Sequence, residues 1–162
     1  MRKQKGFSLI ELLIVVAIIL IIAAIAIPNL LRSRIAANES SAVGSLRTLN
    51  TSEVTYQSTY PDVGFTCTLA NMAPGNGTPS STSSGLIDGT LASGQKSGYS
   101  FSTGAYTCSI ASNTTITVTY GWQGSPTAPG QTGQRYFCSD QSGVIKFHAS
   151  VSASCPTSGT SL

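Results

Sequence analysis

The chain has 162 residues, enough for one ordinary domain, and only 9% of them are charged, well below the quarter usual in a cytosolic enzyme. Ser and Thr together number 44. The net charge of +3 arises from Arg2, Lys3 and Lys5; without them six bases face six acids, so overall basicity argues nothing for nucleic acid.

The first element is a basic cluster followed by a run from Leu12 to Ile27 without a polar residue. Counted from Phe7 to Ile27 it is 21 residues, or roughly 32 Å as a helix, which matches a hydrocarbon core of about 30 Å. The flanking charges place the N-terminus in the cytoplasm and the rest outside, and four cysteines suit that side. A cleavable secretory signal ending at Ala24-Ile25-Ala26 and a permanent signal anchor both account for this pattern. Neither explains Glu11, because a carboxylate inside an apolar helix needs a partner. A simple helix-dipole role is set aside here, since the residue lies within the span and not before it.

Pro28 interrupts an otherwise continuous helical pattern and is expected to kink or loosen it, removing the bond to the carbonyl of Ala24. Beyond it Ile35, Ala42, Leu46, Leu49 and Tyr56 share one stripe, with Arg32, Arg34, Glu39 and Arg47 expected largely elsewhere. A single helix from Phe7 to about Gln57 follows. It is apolar all round in its first half and amphipathic in its second.

Pro61 opens a loop regime, and Pro74–Gly85, almost pure Gly, Pro, Ser, Thr and Asn, is expected to be mobile or glycan-bearing. One short helical turn is expected over Leu86–Ala92. Strand patterns then cover Tyr99–Thr103, Tyr106–Ile110, Thr115–Trp122, Gln134–Cys138 and Val144–His148, with Asp140-Gln141-Ser142-Gly143 closing a hairpin. The fold class is α+β, a long N-terminal helix whose amphipathic half packs on an antiparallel sheet.

Cys67, Cys108, Cys138 and Cys155 allow three pairings. The expected one is Cys67–Cys108 with Cys138–Cys155, the second stapling the C-terminal tail to the last hairpin. No C-x-x-C spacing supports redox or zinc chemistry. His148 is the single histidine and Asp62, Asp88 and Asp140 are the acids beyond Tyr60, too dispersed for an acid/base pair, and His148 reads as a surface residue. No catalytic residue, metal ligand or cofactor is expected.

Lys5-Gly6-Phe7-Ser8-Leu9-Ile10-Glu11 resembles the class III leader junction of type IV prepilins, and the similarity runs through Ile27-Pro28-Asn29-Leu30-Leu31 to about Tyr56 in the manner of major type IVa pilins. The resemblance implies a pilin fold and scission between Gly6 and Phe7 by a membrane peptidase that also methylates the Phe7 amine. It implies storage in the inner membrane, then assembly through the apolar helix into an extracellular homopolymer, with an assembly platform and minor pilins as partners. The amine of Phe7 and the Glu11 carboxylate of an offset subunit would then pair and fix the register. The organisation implied is a leader at 1–6, an assembly helix at 7–31, its amphipathic continuation at 32–58, a loop region at 59–98 and a sheet head at 99–162. Two alternatives stand beside this reading. One is a pseudopilin of a type II secretion system, whose head often binds calcium through an acidic loop that is not evident here. The other is a secreted disulfide-bonded binding domain released at Ala26. Motility, adhesion and DNA uptake are the tasks the resemblance implies, but the neutral head disfavours strong intrinsic DNA affinity. With Phe7 and Tyr56 the only aromatics before Tyr60, conduction through stacked rings is weakly supported.

Overall fold

The computed structural model describes residues 6–104, 106, 108–112, 115–150 and 159–162. The chain forms two compact units, residues 1–34 and 35–162.

Helix α1 spans Leu9–Thr59. It begins where Ser8 leaves its N–H free and Glu11 accepts it, Oε2 lying 2.9 Å from the Ser8 nitrogen, the carboxylate half of a capping box. The helix continues through Pro28, and it stops ahead of Pro61, which cannot continue it.

In the second unit the inner face of α1 carries Glu39, Ala42, Leu46, Leu49, Glu53 and Tyr56, all buried. Their spacing alternates between three and four residues, the seam of a helix laid along a flat partner. Glu39 therefore lies on the apolar stripe and not away from it, as the spacing of the hydrophobic residues alone suggested. Its charge is tolerated there because a cation and two backbone N–H groups meet it.

The partner surface is a six-stranded antiparallel meander in sequential order, β1 Gln95–Lys96, β2 Tyr99–Ser102, β3 Gly121–Pro126, β4 Tyr136–Asp140, β5 Lys146–His148 and β6 Thr160–Ser161. Tyr99, Phe101, Tyr120, Trp122, Phe137 and Ile145 fill the space beneath α1 together with Met72, Ile87 and Leu91. These last three come from the segments around two one-turn helices, α2 Leu69–Met72 and α3 Gly89–Ala92. The Asp88 carboxylate caps α3 by accepting the Leu91 N–H at 2.9 Å. The turn expected over Leu86–Ala92 is present at its C-terminal end; α2 lies in what reads as loop.

The central strand departs most from the expected pattern. Thr115–Tyr120 alternates like a strand but lies outside the sheet, and β3 begins at Gly121. The backbone of Thr117 is already committed, its N–H to Val63 and its carbonyl to Phe65, both at 2.9 Å. Among the described residues of Tyr106–Ile110, none lies in the sheet, and Ile110 makes an isolated bridge to Thr117. β3 itself reads Gly-Trp-Gln-Gly-Ser-Pro, a turn-like composition. Its glycines are places where rings lie: a Cβ at Gly121 would stand 2.6 Å from Cδ1 of Tyr106, and one at Gly124 would stand 3.2 Å from Cε1 of Phe101. Gln134 and Arg135 belong to no ladder because their N–H groups are given to Glu39, so β4 starts two residues later than expected.

The hairpin between β4 and β5 forms at the expected residues, with Gly143 at φ +73° and its N–H donating to the Asp140 carbonyl at 2.9 Å. The Pro74–Gly85 stretch, expected to be mobile or glycan-bearing, is tied down by hydrogen bonds. Tyr56 donates its hydroxyl to the Ser81 carbonyl at 2.5 Å, Ser80 and Ser83 exchange backbone bonds, and Ser84 and Gly85 donate to Asn71 and Ala73.

Candidate processing and assembly segment

Gly6 and Phe7 are exposed and precede the first turn of α1. Around Gly6 the space is open, since a Cβ built there meets nothing within 4 Å. Phe7 is 77% exposed. From Leu9 to Leu31 the large apolar side chains are exposed, and the stretch reaches a mean hydropathy of 3.3 over 18 residues, long and apolar enough to cross a membrane. Surface of this extent is unstable in water and marks contact with lipid or with other apolar chains.

Glu11 does not stand uncompensated in the span, as its position in the apolar run suggested. It belongs to the first helical turn, where the macrodipole favours a negative charge, and its carboxylate accepts the Ser8 N–H. The Ser8-x-x-Glu11 spacing is the signal that marks this cap. Pro28 removes one backbone donor within the exposed apolar part of α1.

In the head, two acids overlooked as structural anchors fix α1 to what it covers. Glu39 is met by the guanidinium of Arg135, Nη2 to Oε2 at 2.7 Å, and by the N–H groups of Gln134 and Arg135 at 2.9 and 3.2 Å. Burial pushes its carboxyl up, but these donors and the adjacent charge outweigh that and hold it below the ordinary value. The Arg135 guanidinium in turn lies 5.4 and 5.3 Å from the ring centres of Phe137 and Phe147. Glu53 is fully buried and meets no cation among the described residues: its oxygens accept the Thr66 N–H at 2.8 Å and the Trp122 indole N–H at 2.9 Å. Burial pushes its carboxyl up to about 7 against the pull of those two donors. The two residues are 14 apart and continue the stripe of Ile35 and Ala42 at steps of four and three, which is the pattern by which the sequence marks them.

A disulfide joins Cys67 to Cys108 with Cα atoms 6.4 Å apart. Cys138 is buried in β4, and Cys155, its expected partner, lies outside the described residues. Among the described residues no group of three His, Cys, Asp or Glu side chains converges. His148 is half-buried on β5, and Asp140 is engaged with the Ser142 hydroxyl and N–H.

Residues 1–27 match the family model of the prokaryotic N-terminal methylation motif. The chain is 65% identical over 40 residues to the type IV wide pilus major component PilA4 of Thermus thermophilus, covering 25% of this chain and 30% of that protein. Over these residues the chain resembles a type IV pilin. It is also 46% identical over 54 residues to the type IV major pilin protein PilA of Myxococcus xanthus, covering 33% and 24% of the two chains. A fimbrial protein of Pseudomonas aeruginosa is 42% identical over 79 residues, covering 41% of this chain and 51% of that one. The chain thus spans from about a quarter to about half the length of the curated relatives it matches. No solved structure matches it. The family-model match ends at residue 27, within α1.

Proposed function

We propose that this chain is the structural subunit of an extracellular type IV pilus, a protein that polymerises and catalyses nothing. The observation that carries the reading is a methylation motif running without a break into an exposed apolar helix. A cleavable export signal would be lost with that helix; a pilin keeps it. On this reading residues 1–6 are a leader removed between Gly6 and Phe7 by a prepilin peptidase, and the new Phe7 amine is methylated. Residues 7–31 anchor the precursor in the inner membrane and then line the fibre core, residues 32–58 continue the helix along the head, residues 59–98 connect, and residues 99–162 form the outer surface. Assembly platform and minor pilins are the partners of that step.

The Glu11 carboxylate has a local partner in the precursor, the Ser8 N–H. After scission it gains a stronger one, because the Phe7 amine of an offset subunit brings a full positive charge into an apolar core. Such a pair penalises every register but one. Pro28 frees the Ala24 carbonyl and gives the apolar part of α1 a place to adjust during packing.

The test is the intact mass and N-terminal sequence of protein sheared from the cell surface. A chain beginning at N-methylated Phe7 is expected. A chain beginning at Ile27 would replace the fibre with a released, disulfide-bonded domain.

A further inference from the structure

Glu53 occupies an unusual position in the head. It projects from α1 into the seam beneath it, is fully buried, and binds two different elements at once: Oε2 accepts from the backbone of Thr66 in the 60–68 segment, and Oε1 accepts from the Trp122 indole in β3. The segment it holds is the one covalently tied through Cys67 to Cys108 and hydrogen-bonded through Val63 and Phe65 to Thr117. One carboxyl group is thus the polar joint among three parts of the head.

Its two electrostatic requirements conflict. Two N–H donors suit an ionised carboxylate, whereas a protonated carboxyl group has one oxygen that must itself donate. Full burial without a cation penalises the ionised form. The ion pairs among the described residues, Lys96 with Asp88 and Arg135 with Glu39, do not reach it. The other ionisable groups bearing on it are phenols: Tyr56 on α1, which donates to the Ser81 carbonyl, and Tyr120 just before β3, whose hydroxyl lies 3.4 Å from Oδ1 of Asn50. Both phenols are held above their ordinary value, by burial first and by Glu53 in part, so neither supplies a charge near neutrality. Asp62 on the 60–68 segment is exposed.

We propose that Glu53 is a proton-operated latch: protonated, it closes the seam between α1, the 60–68 segment and β3, and ionised it loosens that seam, so the head responds to external pH. The sign follows from linkage. The carboxyl ionises near 4.5 when unfolded and near 7 when folded, so the stabilisation is complete below the lower value and is lost as pH rises through the upper one. Glu39, lowered by its partners, has the opposite dependence and acts below the ordinary carboxylate range. The latch does not depend on the chain being a fibre subunit.

The molecule carries its own reporter, because Trp122 is the single tryptophan and its N–H is bonded to Glu53. Tryptophan fluorescence of the full chain in detergent micelles, titrated from pH 5 to 9, is expected to follow one transition with a midpoint within about a unit of 7. Glu53→Gln removes that transition and His148→Gln keeps it. A flat titration, or one that survives Glu53→Gln or vanishes in His148→Gln, overturns the proposal. Should Glu53→Gln fail to fold, urea unfolding of the unmodified chain decides: the unfolding constant is expected to be of the order of fiftyfold larger at pH 8 than at pH 5. An equal or smaller constant at pH 8 would mean that the two N–H donors keep Glu53 ionised throughout, and the latch does not exist.

Discussion

The two parts of helix α1 solve the problem of surface in opposite ways. From Leu9 to Leu31 the large apolar side chains are exposed, and after Glu11 the next ionisable group is Arg32. From Ile35 onward the buried face mixes Leu46, Leu49 and Tyr56 with Glu39, Ser45, Ser52 and Glu53. Ser52 donates to the Leu86 carbonyl at 3.1 Å and Asn50 to the Ser139 hydroxyl at 2.7 Å, so the polar positions of this part have named acceptors. A purely apolar surface is satisfied by any apolar surroundings and by many registers. A surface studded with buried polar groups is satisfied by one arrangement, because each unmet donor or acceptor costs roughly 1–3 kcal/mol. On the proposed fibre reading the first part suits transfer between lipid and a polymer, and the second suits a permanent fold.

The comparison breaks most completely at the leader. Gly6→Val places a β-branched residue beside the scissile bond, and since a Cβ there meets nothing, the head is not disturbed. The expected outcome is a folded chain that keeps its first six residues, by mass spectrometry of membranes, with no polymer on the cell surface. Normal processing of this variant would remove the leader reading. The next largest effect belongs to the head alone. Replacing Cys67 and Cys108 by Ser opens a link across 41 residues, for which loop-closure entropy gives about 4 kcal/mol. Denaturant unfolding of the micelle-bound chain should register that loss while N-terminal processing stays intact.

These contrasts were unequally legible in the sequence. The apolar run, the leader junction and the stripe of Ile35, Ala42, Leu46, Leu49 and Tyr56 depend on local periodicity, and local periodicity is what a sequence displays. The hairpin at Asp140–Gly143 was legible for the same reason, since a glycine at positive φ closes it. β3 was not, because Gly121 and Gly124 are occupied by rings from Tyr106 and Phe101, residues distant in sequence. Thr115–Tyr120 misled in the opposite direction: its alternation is real, but the backbone of Thr117 is committed to Val63 and Phe65. Glu39 and Glu53 were read by charge and not by position. Their places on the stripe were visible, yet the Arg135, Thr66 and Trp122 partners that make such places tolerable are supplied by tertiary structure.

Trp122→Phe sharpens the contrast by keeping an aromatic ring, though a smaller one, and deleting one donor to Glu53. Its cost is expected to be about 2 kcal/mol, from a buried carboxyl group that loses one of two partners. The loss should be read in urea unfolding at pH 5 and at pH 8. It should be the larger at pH 8, where the buried charge already loosens the seam and the loss of one of its two donors adds to that penalty. An equal loss at both values would place the effect in packing and not in the bond.

The smallest expected effect concerns Arg135. Its side chain is 42% exposed, while that of Glu39 is 8% exposed, so solvent screens much of the pair's attraction and removal of the guanidinium should cost only about 1 kcal/mol. The Gln134 and Arg135 N–H groups remain to serve the carboxylate in Arg135→Met, and the flexible Met side chain can still cover Phe137 and Phe147. What changes is the acid side of the stability curve. With the Glu39 carboxyl held below its ordinary value, the pair stabilises above that ordinary value and the contribution is lost as pH falls through the lowered one. Arg135→Met should therefore be less stable at pH 6 and converge with the parent chain in strong acid. If the two curves ran parallel instead, Glu39 would owe its place to the two backbone N–H groups alone, and the polar part of α1 would be held by the same kind of bond at both of its acids.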